Sequence, residues 1–274
     1  MMAATSSGIF RQHHACSVVA GKTAPHLVML HGWGLHSGVW ASFLPLLTPH
    51  FQITLIDLPG FGKTGADISY ADFFRELPGL VPQKAVWLGW SLGGAMALAM
   101  ADRHPERVQA LCLMAATPCF VRRPDWQAAM PETSFSDFKN AVQEDAPITL
   151  EGFLALQCKG SVSMKTDLRF LQSVLATGKI PGVSALLRGL ENLAHMDLRD
   201  ALHALERPVQ VVLGEKDVLI PVSLEKALKA LNPAVSVTVI GGAAHLPFVS
   251  HAKACSDALL QFCRQQGLLE RAAS

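Results

Sequence analysis

An α/β fold is what this sequence predicts: a mostly parallel sheet with crossover helices, interrupted by a helical insertion. Three observations predict it. Apolar, strand-like runs alternate with helical ones through the first 116 residues and again after residue 207. The stretch "LGWSLGG", Leu88 to Gly94, places three glycines around one serine at a strand-to-helix junction. Between Thr117 and Glu206 the strand signal disappears, and aromatic and leucine-rich helical segments broken by Pro124, Pro131, Pro147 and Pro181 take its place.

Taken in order, "HLVMLHGWG" reads as a buried strand followed by a helix-like "SGVWASFLPLLTPH". "FQITLIDLPGFG" is followed by the helix "SYADFFRELPGLV", and "KAVWLGWS" by "AMALAMADRH", a helix ending beside Pro105. "VQALCLMAA" closes the first half. Continuous apolar strands of this kind belong to parallel sheets covered on both faces. After the insertion, "PVQVVLGEKD" and "VSVTVIGGAAH" restore the strands, each with a helix behind it. The predicted division is therefore core 1–120, helical cap 121–206 and core 207–274. No internal repeat or low-complexity tract interrupts it.

Half of the 274 residues are hydrophobic, enough for one large core. A formal net charge of +1 provides no global attraction to nucleic acid or to an anionic membrane, so a charged partner must be met by a local patch. The six cysteines form no C-x-x-C pair and read as reduced, mostly buried thiols. Neither a signal-peptide core nor a membrane-length apolar run is present, and the expected location is the cytoplasm.

Gly89, Ser91 and Gly93 form G-x-S-x-G between a strand and a helix, the pattern that lets a strained serine project from a strand end. A serine hydroxyl needs a base and an acid that orients the base. Asp217 follows one late strand and His245 the next, so both fall at the carboxyl edge from which Ser91 emerges. Glu215 is the rival acid, although it lies nearer its strand, where the loop has had less room to turn. Asp57 is expected to order its own glycine-rich loop. His251 approaches the final helix, while His13, His14, His50 and His104 sit in surface or structural contexts. For the oxyanion, the Leu92 amide follows the nucleophile, and the Trp33 amide in "HGWG" is the second candidate. Trp33 also reads simply as a core aromatic, and His31 as a loop brace. No zinc spacing or dinucleotide fingerprint occurs, and the predicted chemistry needs no metal or organic cofactor.

From about His26 onward the chain resembles the α/β-hydrolase superfamily. Within it, "LHGWGLHSGVW", "LIDLPGFG", "WLGWSLGG", "HPERVQAL", "PCF", "FLALQ" and "AAHLPFVSH" are similar to the pimeloyl-[acyl-carrier protein] methyl ester esterases of biotin synthesis. The first 25 residues do not carry the likeness. The resemblance implies hydrolysis of a methyl ester on a pimeloyl chain borne by acyl-carrier protein. It also implies substrate contacts at Trp33, Ser91, Leu92, Phe153, Leu154, Ala155, Leu156, Gln157 and His245. The segment "FLALQ" equally reads as an amphipathic helix packed on the core, and both readings can hold.

Carrier proteins are acidic, so docking calls for a locally basic surface. Between Cys158 and Leu190 stand five basic residues, Lys159, Lys165, Arg169, Lys179 and Arg188, against the single acid Asp167. Lys165 and Arg169, one helical turn apart, match basic cap positions of the family. The family's arginine beside "FLALQ" is replaced here by Gly152. The reading is thus a monomeric serine carboxylesterase with a helical cap. Its rivals are a broad short-chain esterase or thioesterase on free metabolites, and a non-catalytic binding protein of the same fold.

Overall fold

The computed structural model describes residues 2–4, 8–17 and 24–270, with the side chains of 2–4 left out. Eight strands make one sheet: β1 (Met2–Ala4), β2 (Phe10–His14), β3 (His26–Leu30), β4 (Gln52–Ile56), β5 (Ala85–Trp90), β6 (Val108–Met114), β7 (Val209–Gly214) and β8 (Ser236–Ile240). Their spatial order is β1-β2-β4-β3-β5-β6-β7-β8. Strands β3 to β8 run parallel, and β1 and β2 add an antiparallel edge.

The chain steps from β3 outward to β4 and then back across β3 to β5. The carboxyl ends of β3 and β5 are therefore a topological switch point, where loops diverge and leave a crevice. Side chains alternate across the sheet: Val28 and Leu30 join one buried cluster, Leu27 and Met29 the other. Helices α2 (Tyr70–Leu80) and α3 (Leu92–Arg103) contribute to the first cluster, and the single-turn α10 (Pro247–Ser250) and α11 (Ala252–Gln265) to the second.

Two local expectations are corrected. "SGVWASFLPLLTPH" is not one helix but a 3₁₀ turn, Ser37–Trp40, followed by the single-turn α1 (Leu44–Leu47). Pro45 lacks the N–H needed to continue a preceding helix and instead starts a new one. Strand β2 has no counterpart in the sequence reading. It lies between β1 and β4, antiparallel to both, and is half-buried and rich in polar residues, without the apolar run that marks the central strands.

The insertion leaves the core after β6 and returns before β7. Leu198 N–H donates to Pro118 O at 2.8 Å, and Cys119 pairs with Asp197, so the chain enters and leaves the cap through one neck. Beyond that neck lie α4 (Glu132–Glu144), α5 (Ala146–Cys158), α6 (Met164–Thr177) and α7 (Val183–His195). Prolines mark where the cap helices begin: Pro131 is the N-cap of α4, and Pro147 stands in the first turn of α5. Asp145 caps α5 through Oδ1, which accepts from Ile148 N–H at 3.0 Å. The short α8 (Arg199–Ala204) packs on α3 and on α9 (Leu224–Leu231), placing residues after the neck with the core.

Candidate active site

Strand β5 is buried throughout and ends at Trp90. Ser91 follows with φ 54° and ψ −118°, backbone that side chains rarely adopt, as the N-cap of α3. Close packing holds the strain. A Cβ on Gly89 would lie 2.2 Å from Gly93 O, and one on Gly93 would lie 2.3 Å from Leu30 O. Only glycine permits strand, turn and helix to meet this closely. Ser91 N–H also donates to Met114 O at 3.0 Å, which ties the turn to the neighbouring strand.

The loop after β7 delivers Asp217, and the loop after β8 delivers His245. His245 Nδ1 lies 2.8 Å from Asp217 Oδ2, with both side chains buried. Asp217 Oδ1 accepts from the N–H groups of Leu219 (2.8 Å) and Ile220 (3.0 Å), so the carboxylate cannot rotate without losing two donors. A carboxylate on Nδ1 selects the tautomer whose Nε2 is the free acceptor. Nε2 is buried without a hydrogen-bond partner, and no bond joins it to Ser91 Oγ.

Glu215 is engaged elsewhere. Its Oε2 accepts from Gly242 N–H at 2.8 Å, and that bond, with the Lys216 ammonium beside it, holds the carboxyl below the usual carboxylate range. Asp57 accepts from Ser37 N–H and Lys63 N–H, bracing the loops on either side of it. His31 shares that bracing. Its Nδ1 donates to Gly32 O at 2.7 Å and its Nε2 accepts from Leu58 N–H at 2.9 Å. Burial drives the His31 pKa well down, keeping the ring neutral.

Leu92 is the first residue of α3, so its N–H has no acceptor within the helix. Trp33 N–H makes no hydrogen bond among the described residues. Both amides lie at the switch point, one on each side of the crevice. The Trp33 side chain turns toward the cap: Nε1 donates to Leu186 O at 2.8 Å, and the ring meets Phe138 and Phe153 edge-on at 5.4 and 5.1 Å. It is a core aromatic and a cavity wall at once.

Ser91 and Trp33 line a cavity of about 260 Å³. Its other walls come from the neck (Phe120, Met130), α4 (Ser134, Phe138), α5 (Phe153, Leu156), α7 (Leu190, Leu193) and Leu219 beside Asp217. Apart from the two serines the lining is apolar.

Residues 25–252 match the family model of the alpha/beta hydrolase fold. The pimeloyl-[acyl-carrier protein] methyl ester esterase of Yersinia enterocolitica is 38% identical over 250 residues, covering 90% of this chain and 96% of its own length. That of Klebsiella pneumoniae is 41% identical over 244 residues, covering 88% and 95%. The chain belongs to this esterase family. It is a carboxylic ester hydrolase with an α/β-hydrolase core. An esterase from Exiguobacterium antarcticum superposes with a TM-score of 0.80 at 20% identity, over 93% of this chain and 95% of that one, and shares its fold.

Within this family member the structure separates the five residues of "FLALQ". Phe153 and Leu156 line the cavity, whereas Leu154 points into the cluster on the α11 face of the sheet. Ala155 is half-buried and off the cavity. Gln157 is buried, and its backbone carbonyl accepts from His245 N–H at 3.1 Å. The sequence reading did not find Phe120, Met130, Ser134, Phe138, Leu190, Leu193 or Leu219. For Ser134, Phe138, Leu190 and Leu193 the signal was the helical spacing within α4 and α7, which marks a shared face but not what that face encloses, and Phe120, Met130 and Leu219 lie in irregular segments that carry no such spacing.

On the esterase's outer surface, Lys165 and Arg169 are exposed on α6, as are Lys159 and Lys179 at either end of it. The one acid of this stretch, Asp167, is buried and accepts from Ser161 Oγ (2.7 Å) and Ser163 Oγ (2.9 Å). Its charge is turned inward, leaving the exposed face cationic. Among the described residues, none of these four cations has an ion-pair partner, and Val162 and Met164 stand exposed between Lys159 and Lys165. No described helix is long and apolar enough to cross a membrane.

Proposed function

We propose that this esterase hydrolyses the methyl ester of pimeloyl-[acyl-carrier protein], giving methanol and the pimeloyl carrier for biotin synthesis. It acts as a cytoplasmic monomer, with Ser91 as nucleophile, His245 as base and Asp217 as the acid that orients the base. The observation that carries this reading is the buried Asp217–His245 pair, with Nε2 left unpartnered at the sheet edge where a strained serine opens into an apolar cavity.

Ser91 Oγ attacks the ester carbonyl while His245 Nε2 takes its proton, and Asp217 stabilises the imidazolium. Charge develops on the carbonyl oxygen, where the N–H groups of Trp33 and Leu92 receive it. The imidazolium then protonates the departing methoxide. Water, activated by the same Nε2, attacks the acyl-enzyme and releases a carboxylic acid from Ser91. The apolar walls favour the methylene chain and its methyl ester. The product carboxylate is poorly accommodated among Phe138, Phe153, Leu156 and Leu190, so ionisation favours release. This is a physical reason for turnover to stop at the free acid.

Lys165 and Arg169, with Lys159 and Lys179 near them, offer the cationic face that an acidic carrier protein requires. Reversing both charges, Lys165→Glu with Arg169→Glu, should raise KM for the carrier-bound ester by roughly tenfold and leave a small free methyl ester unchanged. High salt should weaken only the carrier-bound reaction in the wild-type protein. Equal loss on both substrates would mean a disturbed cap, and no change on either would remove these residues from docking. A wild-type protein that turns over free esters but not the carrier-bound one would favour a broad esterase.

A further inference from the structure

Trp90 stands between the glycine and the serine of the elbow, and its side chain touches two of the loops that build the site. Its indole Nε1 donates to His245 O at 2.8 Å, with the two rings 5.7 Å apart. Phe248, three residues after His245, meets the same indole edge-on at 5.3 Å. On its other side lies the loop that carries Trp33. A Cβ on Gly32 would come within 2.8 Å of Trp90 Cε3 and 2.9 Å of Cζ3, so Gly32 rests directly on the six-membered ring. Trp90 is 1% exposed and can yield to none of these neighbours.

We infer that Trp90 is a positioning residue, a single rigid ring that sets the spacing of the oxyanion loop and the histidine loop about the nucleophile. The inference rests on the assignment of Ser91 and His245 proposed above. Ser91 is held by the elbow glycines and by Met114 O, and Gly93 packs against the backbone of Leu30 and His31 at the start of the oxyanion loop. From within the same elbow the indole adds contacts to Gly32, further along that loop, and to His245 in the histidine loop. The backbone of His245 is clamped at both ends, its carbonyl by Trp90 Nε1 and its N–H by Gln157 O on α5. The cap is thereby part of the same register. Trp90 touches both loops at once, and a misplacement of about 1 Å costs on the order of 10²-fold in rate.

The test compares Trp90→Phe, Gly32→Ala, their double variant, Trp87→Phe and Ser91→Ala in the full-length protein, assayed with p-nitrophenyl acetate and by thermal melting. Trp87 is the control. It is fully buried on the same strand and donates to Arg107 O, away from the site. Trp90→Phe should lower kcat by about 10- to 100-fold with KM changed by less than about twofold. Trp87→Phe should lose comparable thermal stability and keep its kcat. Gly32→Ala, whose new Cβ meets the indole, should lower kcat in the wild-type background and cost less in Trp90→Phe, where the second ring is gone. A Trp90→Phe enzyme with wild-type kcat, a kcat loss matched by Trp87→Phe, or effects of Gly32→Ala and Trp90→Phe that simply multiply would each overturn the inference. Should Trp90→Phe fail to fold, Gly32→Ala alone decides, since wild-type kcat there contradicts it. An active Ser91→Ala protein would instead remove the assignment on which the inference stands.

Discussion

Gly93 and Gly152 both sit inside helices, one in the elbow and one in the cap, under opposite constraints. A Cβ on Gly93 would collide with Leu30 O and His31 O, whereas one on Gly152 would meet nothing within 4 Å. The same contrast holds for charge. Asp217 is buried with both carboxylate oxygens engaged by His245, Leu219 and Ile220, while Lys165 and Arg169 stand in solvent without an ion-pair partner among the described residues. The core edge admits one arrangement of its residues, and the cap surface leaves its residues free to meet something outside the molecule. The proposed chemistry therefore belongs to the closed region, and the proposed recognition of the carrier to the open one.

The largest expected effect tests the closed region. Asp217→Asn should cut kcat by on the order of 10⁴-fold by reversing the hydrogen bond that selects the His245 tautomer, with little change in melting temperature. Glu215→Gln retains an acceptor for Gly242 N–H and should lose less than about tenfold. If Glu215→Gln did the greater damage, the acid would have been misassigned. Gly93→Ala comes next. Steady-state rates and thermal melting should show a loss of about 10²-fold or more together with a lower melting temperature, because the neighbouring atoms are backbone and cannot move aside. A Gly93→Ala protein with normal kinetics would dissolve the contrast between the two glycines.

The smallest effect sharpens the open side. Gly152→Arg places a good helix former at an exposed position and adds the positive charge that the resemblance leads one to expect beside "FLALQ". It should raise the melting temperature slightly, on the strength of about 1 kcal/mol of helix propensity. KM for the carrier-bound ester should fall by a few-fold, with kcat on a free ester unchanged. A gain on both substrates would assign the effect to the cap fold instead of docking.

These two regions were also unequally legible in the sequence. Strands β3 to β7 are buried on both faces and read as unbroken apolar runs. The elbow shows itself because glycines at 89 and 93 flank a serine between a strand and a helix, a pattern a plain glycine-rich turn can also give but which Asp217 and His245 on the same edge support. Asp217 and His245 could be located because each follows a strand, and loops at one sheet edge converge without any long-range information. The choice between Asp217 and Glu215 needed the structure, since two residues of loop decide whether a carboxylate meets His245 or Gly242. The cap was legible only as helices. Which side of α5 faces the cavity depends on how four helices pack: Leu154 and Leu156, two residues apart, belong to different environments. The inward turn of Asp167 was hidden for the same reason, although it is what leaves the exposed face of α6 cationic. Strand β2 escaped notice because, half-buried and rich in polar residues, it has little apolar pattern to show.

The account turns on Ser91 as the nucleophile of an ester hydrolase, and intact-protein mass spectrometry after treatment with a fluorophosphonate measures this most directly. The wild-type protein should gain one phosphonyl group, placed on Ser91 by peptide mapping, in step with loss of hydrolysis of the carrier-bound methyl ester. Ser91→Ala should gain none and hydrolyse none while melting as the wild type does. Labelling of Ser91→Ala at the wild-type rate, or hydrolysis that survives complete labelling of Ser91, would contradict it.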